Sequence, residues 1–90
     1  MNKQELISQV AETSGLTKAD ASRAVDGVFD AITSSLSSGN EVRLTGFGTF
    51  TTSQRKATTG RNPRTGATID IPASTQPKFR PGKSLRDAVN

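Results

Sequence analysis

The sequence predicts an α+β fold in which helices come first and a small sheet follows. Apolar residues recur at spacings of three and four through residues 6–36, as on the buried face of an amphipathic helix. From residue 41 onward, short runs of β-forming residues replace that pattern. Two of these runs flank residues 58–67, which contain two glycines, an Asn-Pro turn and two arginines but no acidic residue. A long two-stranded ribbon with a basic, proline-containing tip is therefore expected.

Two helices joined by a short turn are predicted at the N-terminus, forming an αα-hairpin. Asn2 and Glu5 have the spacing of a capping box at the start of the first helix, and Gly15 is suited to its end. Thr17 opens the second helix in a similar way. Its apolar stripe runs over about four turns and comprises Ala21, Ala24, Val25, Val28, Phe29, Ile32 and Leu36. A helix-turn-helix reader of DNA is disfavoured, because this helix has three aspartates and only two basic residues to face the phosphate-lined major groove.

The second half of the chain predicts short strands and one further helix. Residues 41–44 alternate as a strand with Val42 and Leu44 on one face, and the glycines of residues 45–48 end it in a turn. Pro72 is expected to end the second ribbon strand or to confine it to an edge. Residues 83–89 are long enough for a final helix, with its apolar residues Leu85, Ala88 and Val89 facing inward.

The composition provides little material for a hydrophobic core. Only 31% of the 90 residues are hydrophobic, and the four aromatic residues are all phenylalanines, of which Phe47 and Phe50 are expected in the core. Small domains of this kind depend on disulfides, metals or oligomerisation. The chain has no Cys and no His, which excludes disulfides and the usual zinc ligands. A two-fold dimer is therefore expected.

Charge is distributed unevenly along the chain. Residues 1–42 have three basic and six acidic residues, a net charge of −3, whereas residues 43–90 have nine basic and two acidic residues, a net charge of +7. A mildly acidic half joined to a strongly basic half indicates a scaffold that presents a surface to a polyanion.

Catalytic function is disfavoured by the residue types present. Without His or Cys, and with carboxylates scattered over helix faces, no catalytic residue, metal site or cofactor is predicted. Gly46 and Gly48 match half of a dinucleotide-binding fingerprint, but Thr51 stands in place of the third glycine and no helix follows. No apolar run is long enough for a signal peptide or a membrane span, so a cytoplasmic protein without membrane contact is expected.

The basic ribbon suits a nucleic-acid groove. Alternation along a strand places Arg55 and Arg61 on one face and Lys56 on the other, while Arg64 lies beyond the turn. Such arginines contact phosphates or base edges. Pro63 is compatible either with a simple turn or with a rigid wedge between base pairs, and the residues alone do not decide between these two roles.

Four motifs resemble those of the bacterial histone-like HU proteins, the family that also contains integration host factor. They are Gly46–Phe50, Gly60–Gly66, Ile71–Ala73 and Phe79–Lys83, and the resemblance extends over essentially all ninety residues. The Gly-Arg-Asn-Pro tip following Gly-Phe-Gly is its most specific part. The resemblance implies an intertwined homodimer with an N-terminal αα-hairpin, a three-stranded antiparallel sheet extended by a long β-ribbon arm, and a short C-terminal helix.

The resemblance also implies the function: sequence-tolerant binding, bending and condensation of double-stranded DNA in the bacterial nucleoid, without catalysis, with bent or nicked DNA preferred and RNA as a further ligand. It divides the single domain 1–90 into a dimerisation body (residues 1–52 and 75–90) and a DNA-binding arm (residues 53–74). The resemblance also implies that Pro63 is the residue that intercalates between base pairs. The DNA-binding residues are expected to be Arg55, Lys56, Arg61, Asn62, Pro63, Arg64, Lys3, Lys78, Arg80, Lys83 and Arg86. The dimer core is expected to comprise Phe29, Ile32, Leu36, Leu44, Phe47, Phe50 and Phe79.

Two departures from the family pattern affect this expectation. Ser53 and Thr58 occupy arm positions where many HU proteins carry Lys or Arg, which predicts weaker binding in the same mode. The chain lacks the C-terminal extension common in integration host factor subunits, which favours HU. The alternatives are an integration-host-factor-like subunit with preferred sites and a small basic RNA-binding protein.

Overall fold

A computed structural model describes all residues from 1 to 90. The elements in chain order are α1 (Lys3–Ser14), α2 (Lys18–Ser37), β1 (Val42–Leu44), β2 (Gly48–Arg55), β3 (Thr58–Arg61), β4 (Thr68–Ile71), β5 (Ser74–Pro81) and α3 (Lys83–Val89). The predicted α+β order is confirmed: an αα-hairpin, an antiparallel sheet with strand order β1-β2-β5, a separate two-stranded ladder of β3 and β4, and a C-terminal helix.

The ends of the first two helices follow the residues that predicted them. The side-chain oxygen of Asn2 accepts a hydrogen bond from the backbone N–H of Glu5 at 2.8 Å, and that of Thr17 accepts one from Asp20 at 3.2 Å. Gly15 ends α1 with a φ of 77° and donates its N–H to the Ala11 carbonyl at 3.0 Å. The Glu5 carboxylate does not return a bond to Asn2, so only half of the expected capping box forms.

The core of the single chain is small and lies between α1 and α2. Ile7, Ala21 and Val25 are buried, and only four of the 90 residues in the chain are buried at all. The remaining apolar positions of α2 continue along the helix without a covering element; Val28 is 54% exposed and Phe29 is 42% exposed. The apolar stripe predicted from the sequence is therefore only partly covered within one chain.

The ribbon consists of two ladders in one register. β2 pairs with β5 from Gly48–Pro81 to Arg55–Ser74, and β3 pairs with β4 from Thr58–Ile71 to Arg61–Thr68. The long two-stranded ribbon expected from the sequence is present, but residues 56–57 and 72–73 are unpaired and interrupt it between the two ladders. Pro72 provides the physical reason, because it has no N–H to donate to a ladder, and β4 ends just before it as predicted.

This ribbon makes the chain elongated. Its radius of gyration is 18.6 Å and its principal extents are 57 × 31 × 28 Å, whereas a compact domain of this length has a radius of gyration of about 12 Å. None of its helices has the combination of length and apolar character needed to cross a bilayer.

One face of the three-stranded sheet is apolar and aromatic. Val42 pairs with Phe50, which pairs with Phe79, so the three side chains share a face. The rings of Phe50 and Phe79 have centroids 4.8 Å apart, and Phe47 lies 5.6 Å from Phe79. Such tilted aromatic pairs stabilise a packed face beyond the area they bury.

The inward face expected for the last helix is wrong for the isolated chain. Leu85 is partly covered, but Ala88 is exposed and Val89 is 76% exposed. Helix α3 meets the rest of the chain near its start, where Ser84 lies beside Gly46, and it makes no extensive contact with any other helix or strand.

Gly48 provides a test of the sheet packing, since a Cβ there would lie 2.5 Å from Cζ of Phe79 and 2.6 Å from the Arg80 carbonyl oxygen. Gly48→Ala should therefore lower the free energy of unfolding by about 1–3 kcal/mol, the range for overpacked cores, as measured by urea denaturation. Gly27→Ala is the matched control: it adds the same methyl group on α2 where nothing lies within 4 Å. It should raise stability by about 0.5–1 kcal/mol. Equal effects of the two substitutions would contradict the close contact at Gly48.

Candidate nucleic-acid interface

The face of the sheet opposite the phenylalanines is basic. Successive residues of a strand point to opposite faces, so the odd-numbered positions of β2 and their partners share the face away from Phe50. Thr49 pairs with both Arg43 and Arg80, Thr51 pairs with Lys78, and Arg55 pairs with Ser74. The four cations Arg43, Arg55, Lys78 and Arg80 are all exposed and are called here the basic sheet face.

Arg43 belongs to this face but is not among the DNA-binding residues predicted from the sequence. The signal was present, because Val42 and Leu44 were expected to point inward and Arg43 lies between them. Its side chain is 79% exposed, and its Nη2 lies 4.0 Å from Oε2 of Glu41, at the outer limit of an ion pair. Arg43 is thus directed to solvent on the same face as Arg80, with Thr49 of the central strand between them.

The arm, residues 53–74, has four cations and one carboxylate. Arg55 lies at the last pair of the first ladder, and its Nη2 donates to the Pro72 carbonyl oxygen at 3.4 Å, across the unpaired step. Lys56 lies within that step, and Arg61 ends β3 opposite Thr68. The carboxylate is Asp70, which pairs with Thr59 and so shares a face with Arg61.

The tip of the arm is a hydrogen-bonded turn. The N–H of Asn62 donates to the Ala67 carbonyl at 2.8 Å, and the N–H of Gly66 donates to the Asn62 carbonyl at 2.8 Å. Gly66 has a φ of 71°, a left-handed conformation that glycine adopts without strain. Pro63 and Arg64 follow Asn62 in the turn and are exposed. The structure thus places a rigid ring and a guanidinium at the far end of the ribbon.

Most of the predicted DNA-binding cations have no carboxylate partner. Two do: Lys3 Nζ lies 2.6 Å from Asp26 Oδ1, and Lys83 Nζ lies 3.3 Å from Asp87 Oδ2. Exposed pairs of this kind contribute only about 0–1 kcal/mol and are readily exchanged. The unpaired cations are Arg55, Lys56, Arg61, Arg64, Lys78, Arg80 and Arg86. Six of these seven lie along β2, β5 and the arm, and Arg86 lies on α3; the two paired cations, Lys3 and Lys83, are also on helices.

None of the seven residues predicted for a dimer core is buried within the chain. Phe47 is 50% exposed, Phe29 is 42% exposed and Phe79 is 40% exposed, and the other four are partly or largely exposed. A groove between α1 and α2 is lined entirely by the hydrophobic residues Leu6, Val10, Ala24, Val25, Val28 and Phe29. Apolar surface of this extent is typical of a protein–protein interface.

Comparison with known proteins gives one family over the whole length. The family model for bacterial DNA-binding proteins matches residues 1–90. DNA-binding protein HRL53 of Rhizobium leguminosarum is 61% identical over 90 residues, covering 100% of this chain and 99% of the relative. DNA-binding protein HU of Geobacillus stearothermophilus is 60% identical over 89 residues, covering 99% of each.

A solved structure shares the fold closely. The chain of an Anabaena HU–DNA cocrystal structure superposes with a TM-score of 0.92 at 43% sequence identity, covering 99% of this chain and 97% of that one. Sequence and structure therefore agree along the helices, the sheet and the arm. The chain belongs to the family of bacterial DNA-binding proteins that includes HU.

Proposed function

We propose that this chain is an architectural protein that binds double-stranded DNA with little sequence specificity and bends it. The observation that carries the proposal is the arm: it projects from the body, buries no core of its own, and holds four cations without a carboxylate partner. The solved relative with the same fold is described as an HU–DNA cocrystal, which supports DNA as the ligand.

We propose that the functional unit is an intertwined homodimer. The single chain leaves Phe29, Leu44, Phe47 and Phe79 between 38% and 50% exposed, and a second copy is the partner that a two-fold interface requires. Residues 1–52 and 75–90 form the dimerisation body in this proposal, and residues 53–74 form the DNA-binding arm. The boundary lies within the β2–β5 ladder, so the arm is continuous with the sheet that supports it.

The arm is proposed to follow the minor groove, with Pro63 as a wedge between base pairs. HU and integration host factor are themselves among the proteins from which this mechanism is known. Arg55, Lys56, Arg61 and Arg64 would lie along the sugar–phosphate backbone. The basic sheet face would continue the same contact toward the body, with Lys3, Lys83 and Arg86 binding phosphates of the bent flanks.

Electrostatic attraction must offset the deformation of the duplex. Bending a short duplex sharply costs about 1–6 kcal/mol, and unstacking at each wedge adds a few more. Counterion release at each neutralised phosphate supplies the favourable term, so affinity should fall steeply with salt. Nicked or pre-bent DNA requires less deformation and should bind more tightly, which makes deformability the property that is recognised.

Binding of this kind places the protein on the bacterial chromosome, in the nucleoid, where it would bend and condense DNA without catalysing a reaction. Structured RNA is a weaker candidate ligand, because an A-form major groove is too narrow for side chains to read and its minor groove is shallow. Competition of duplex DNA, four-way junctions and structured RNA for the same protein separates these ligands. An integration-host-factor-like subunit would instead require a second, different chain.

The dimer can be tested with two large apolar residues of matched exposure, Phe29 at 42% and Leu16 at 41%. Phe29→Ala should destabilise the assembly by about 3–5 kcal/mol if the ring is buried in the partner, whereas Leu16→Ala, in the connection between α1 and α2, should change stability by about 1 kcal/mol. The measurements are the mass by sedimentation and the melting temperature at several protein concentrations. Wild type should melt at higher temperature as concentration rises. A monomer of 9.5 kDa with a concentration-independent melting temperature would contradict the dimer.

Arg61 tests the electrostatic part of the proposal. Arg61→Ala should weaken binding to all duplex sequences alike and reduce the slope of log K against log salt by roughly one, because one phosphate contact is lost. Arg23→Ala is the control, since Arg23 lies on α2 and is paired with Asp20. Gel shifts over a salt series measure both slopes. An unchanged slope for Arg61→Ala would remove Arg61 from the phosphate contacts.

Pro63 tests the wedge. Pro63→Ala should lower the bend angle of the saturated complex more than it lowers affinity, because the apolar ring is lost while the cations remain. Fluorescence energy transfer between the duplex ends reports the bend. The difference between the two proteins should be smaller on a nicked duplex, which bends more easily. Equal bend angles on intact DNA would assign Pro63 to the turn alone.

A further inference from the structure

We propose that Asn62 is a positioning residue that holds the tip of the arm in shape behind Pro63, through its side-chain oxygen, and does not act mainly as a contact to DNA. This inference rests on the proposed DNA bending. It deepens that proposal by separating two roles at adjacent residues: Pro63 meets the base pairs, and Asn62 fixes where Pro63 points.

The hydrogen bonds of Asn62 carry the argument. Its Oδ1 accepts the backbone N–H of Arg64 at 2.8 Å, two residues along the chain, in the geometry of an Asx-turn. Its backbone N–H donates to the Ala67 carbonyl at 2.8 Å, and its backbone carbonyl accepts the N–H of Gly66 at 2.8 Å. Three of its polar groups are therefore engaged within the turn. The side-chain acceptor must be the oxygen, because its partner is an N–H.

The side-chain bond spans Pro63. Asn62 and Arg64 are the two neighbours of the proline, so the bond from Oδ1 to the Arg64 N–H closes a ring of atoms that contains the Pro63 backbone. Pro63 itself has no N–H with which to anchor the turn. Asn62 is partly buried, whereas Pro63, Arg64 and Thr65 are exposed, so packing against the rest of the chain contributes little to the conformation of these three residues.

A wedge has to be held rigidly to separate stacked bases. A hydrogen bond of this type contributes about 0.5–1.5 kcal/mol, so its loss should lower the equilibrium constant for forming the ordered turn roughly two- to tenfold. The amide nitrogen of Asn62 has no hydrogen-bond partner in the protein and remains free to meet DNA, which provides the competing role that an experiment has to separate.

Three substitutions distinguish the two roles. Asn62→Ala removes both the acceptor and the amide donor. Asn62→Ser keeps an acceptor that can form the equivalent turn, as Thr65 does in the same loop by accepting the Ala67 N–H at 3.2 Å. Asn62→Asp keeps the acceptor, lacks the amide donor, and adds a negative charge that should weaken affinity for phosphates.

Two measurements are made on each full-length variant. Amide hydrogen exchange of Arg64 in the free protein should be roughly two- to tenfold faster in Asn62→Ala and near wild type in Asn62→Ser and Asn62→Asp. The bend angle of a duplex saturated with protein should fall in Asn62→Ala and be largely retained in the other two variants. Asn62→Asp should show this bend despite a weaker affinity.

Either of two results would overturn the proposal. If all three variants lose bend and affinity alike while Arg64 exchange changes only in Asn62→Ala, the amide nitrogen contacts DNA directly. If Asn62→Ala exchanges and bends as wild type does, the hydrogen bond does not hold the tip. Failure of the wild-type protein to bind duplex DNA would refute the proposed function instead, and the exchange data would still report on the turn.

Discussion

Cross-strand pairing between β2 and β5 in a single register is the constraint on which the rest of the structure depends. Because side chains alternate along each strand, this register gathers Phe50 and Phe79 on one face and Arg55, Lys78 and Arg80 on the other. A slip of β5 by one residue would move Lys78 and Arg80 to the face of Phe50 and would move Phe79 to the opposite face. The same register continues through the unpaired step into the arm, so one pairing rule organises the aromatic face, the basic sheet face and the arm.

The small core follows from how much of the chain this ribbon uses. The core of one chain has only three buried apolar residues, and large apolar side chains on α2 and on the sheet, such as Val28, Phe29 and Phe79, remain 40–54% exposed. In the proposed dimer this surface becomes the main hydrophobic core, and folding and association depend on each other. In that proposed arrangement the dimerisation body provides the core, and the arm, which buries no core of its own, provides the DNA contacts.

The distribution of charge agrees with this division. The carboxylates near basic residues lie mainly on the helices, where Asp26 pairs with Lys3 and Asp87 with Lys83. Along β2, β5 and the arm, the cations are left without ionic partners, so the favourable free energy of pairing them with phosphates remains available to deform the duplex.

The sequence by itself determined the order of elements, the helix ends at Asn2, Gly15 and Thr17, the break at Pro72, and the basic character of the arm. These are local properties, set by capping side chains, backbone dihedrals and residue types that act within a few positions. The alignment of Arg43 with Lys78 and Arg80 on one face of the sheet and the exposure of α3 were decided only by the tertiary structure. Each depends on which strand lies beside which and on what covers a helix, and a local pattern of residues does not encode those long-range pairings.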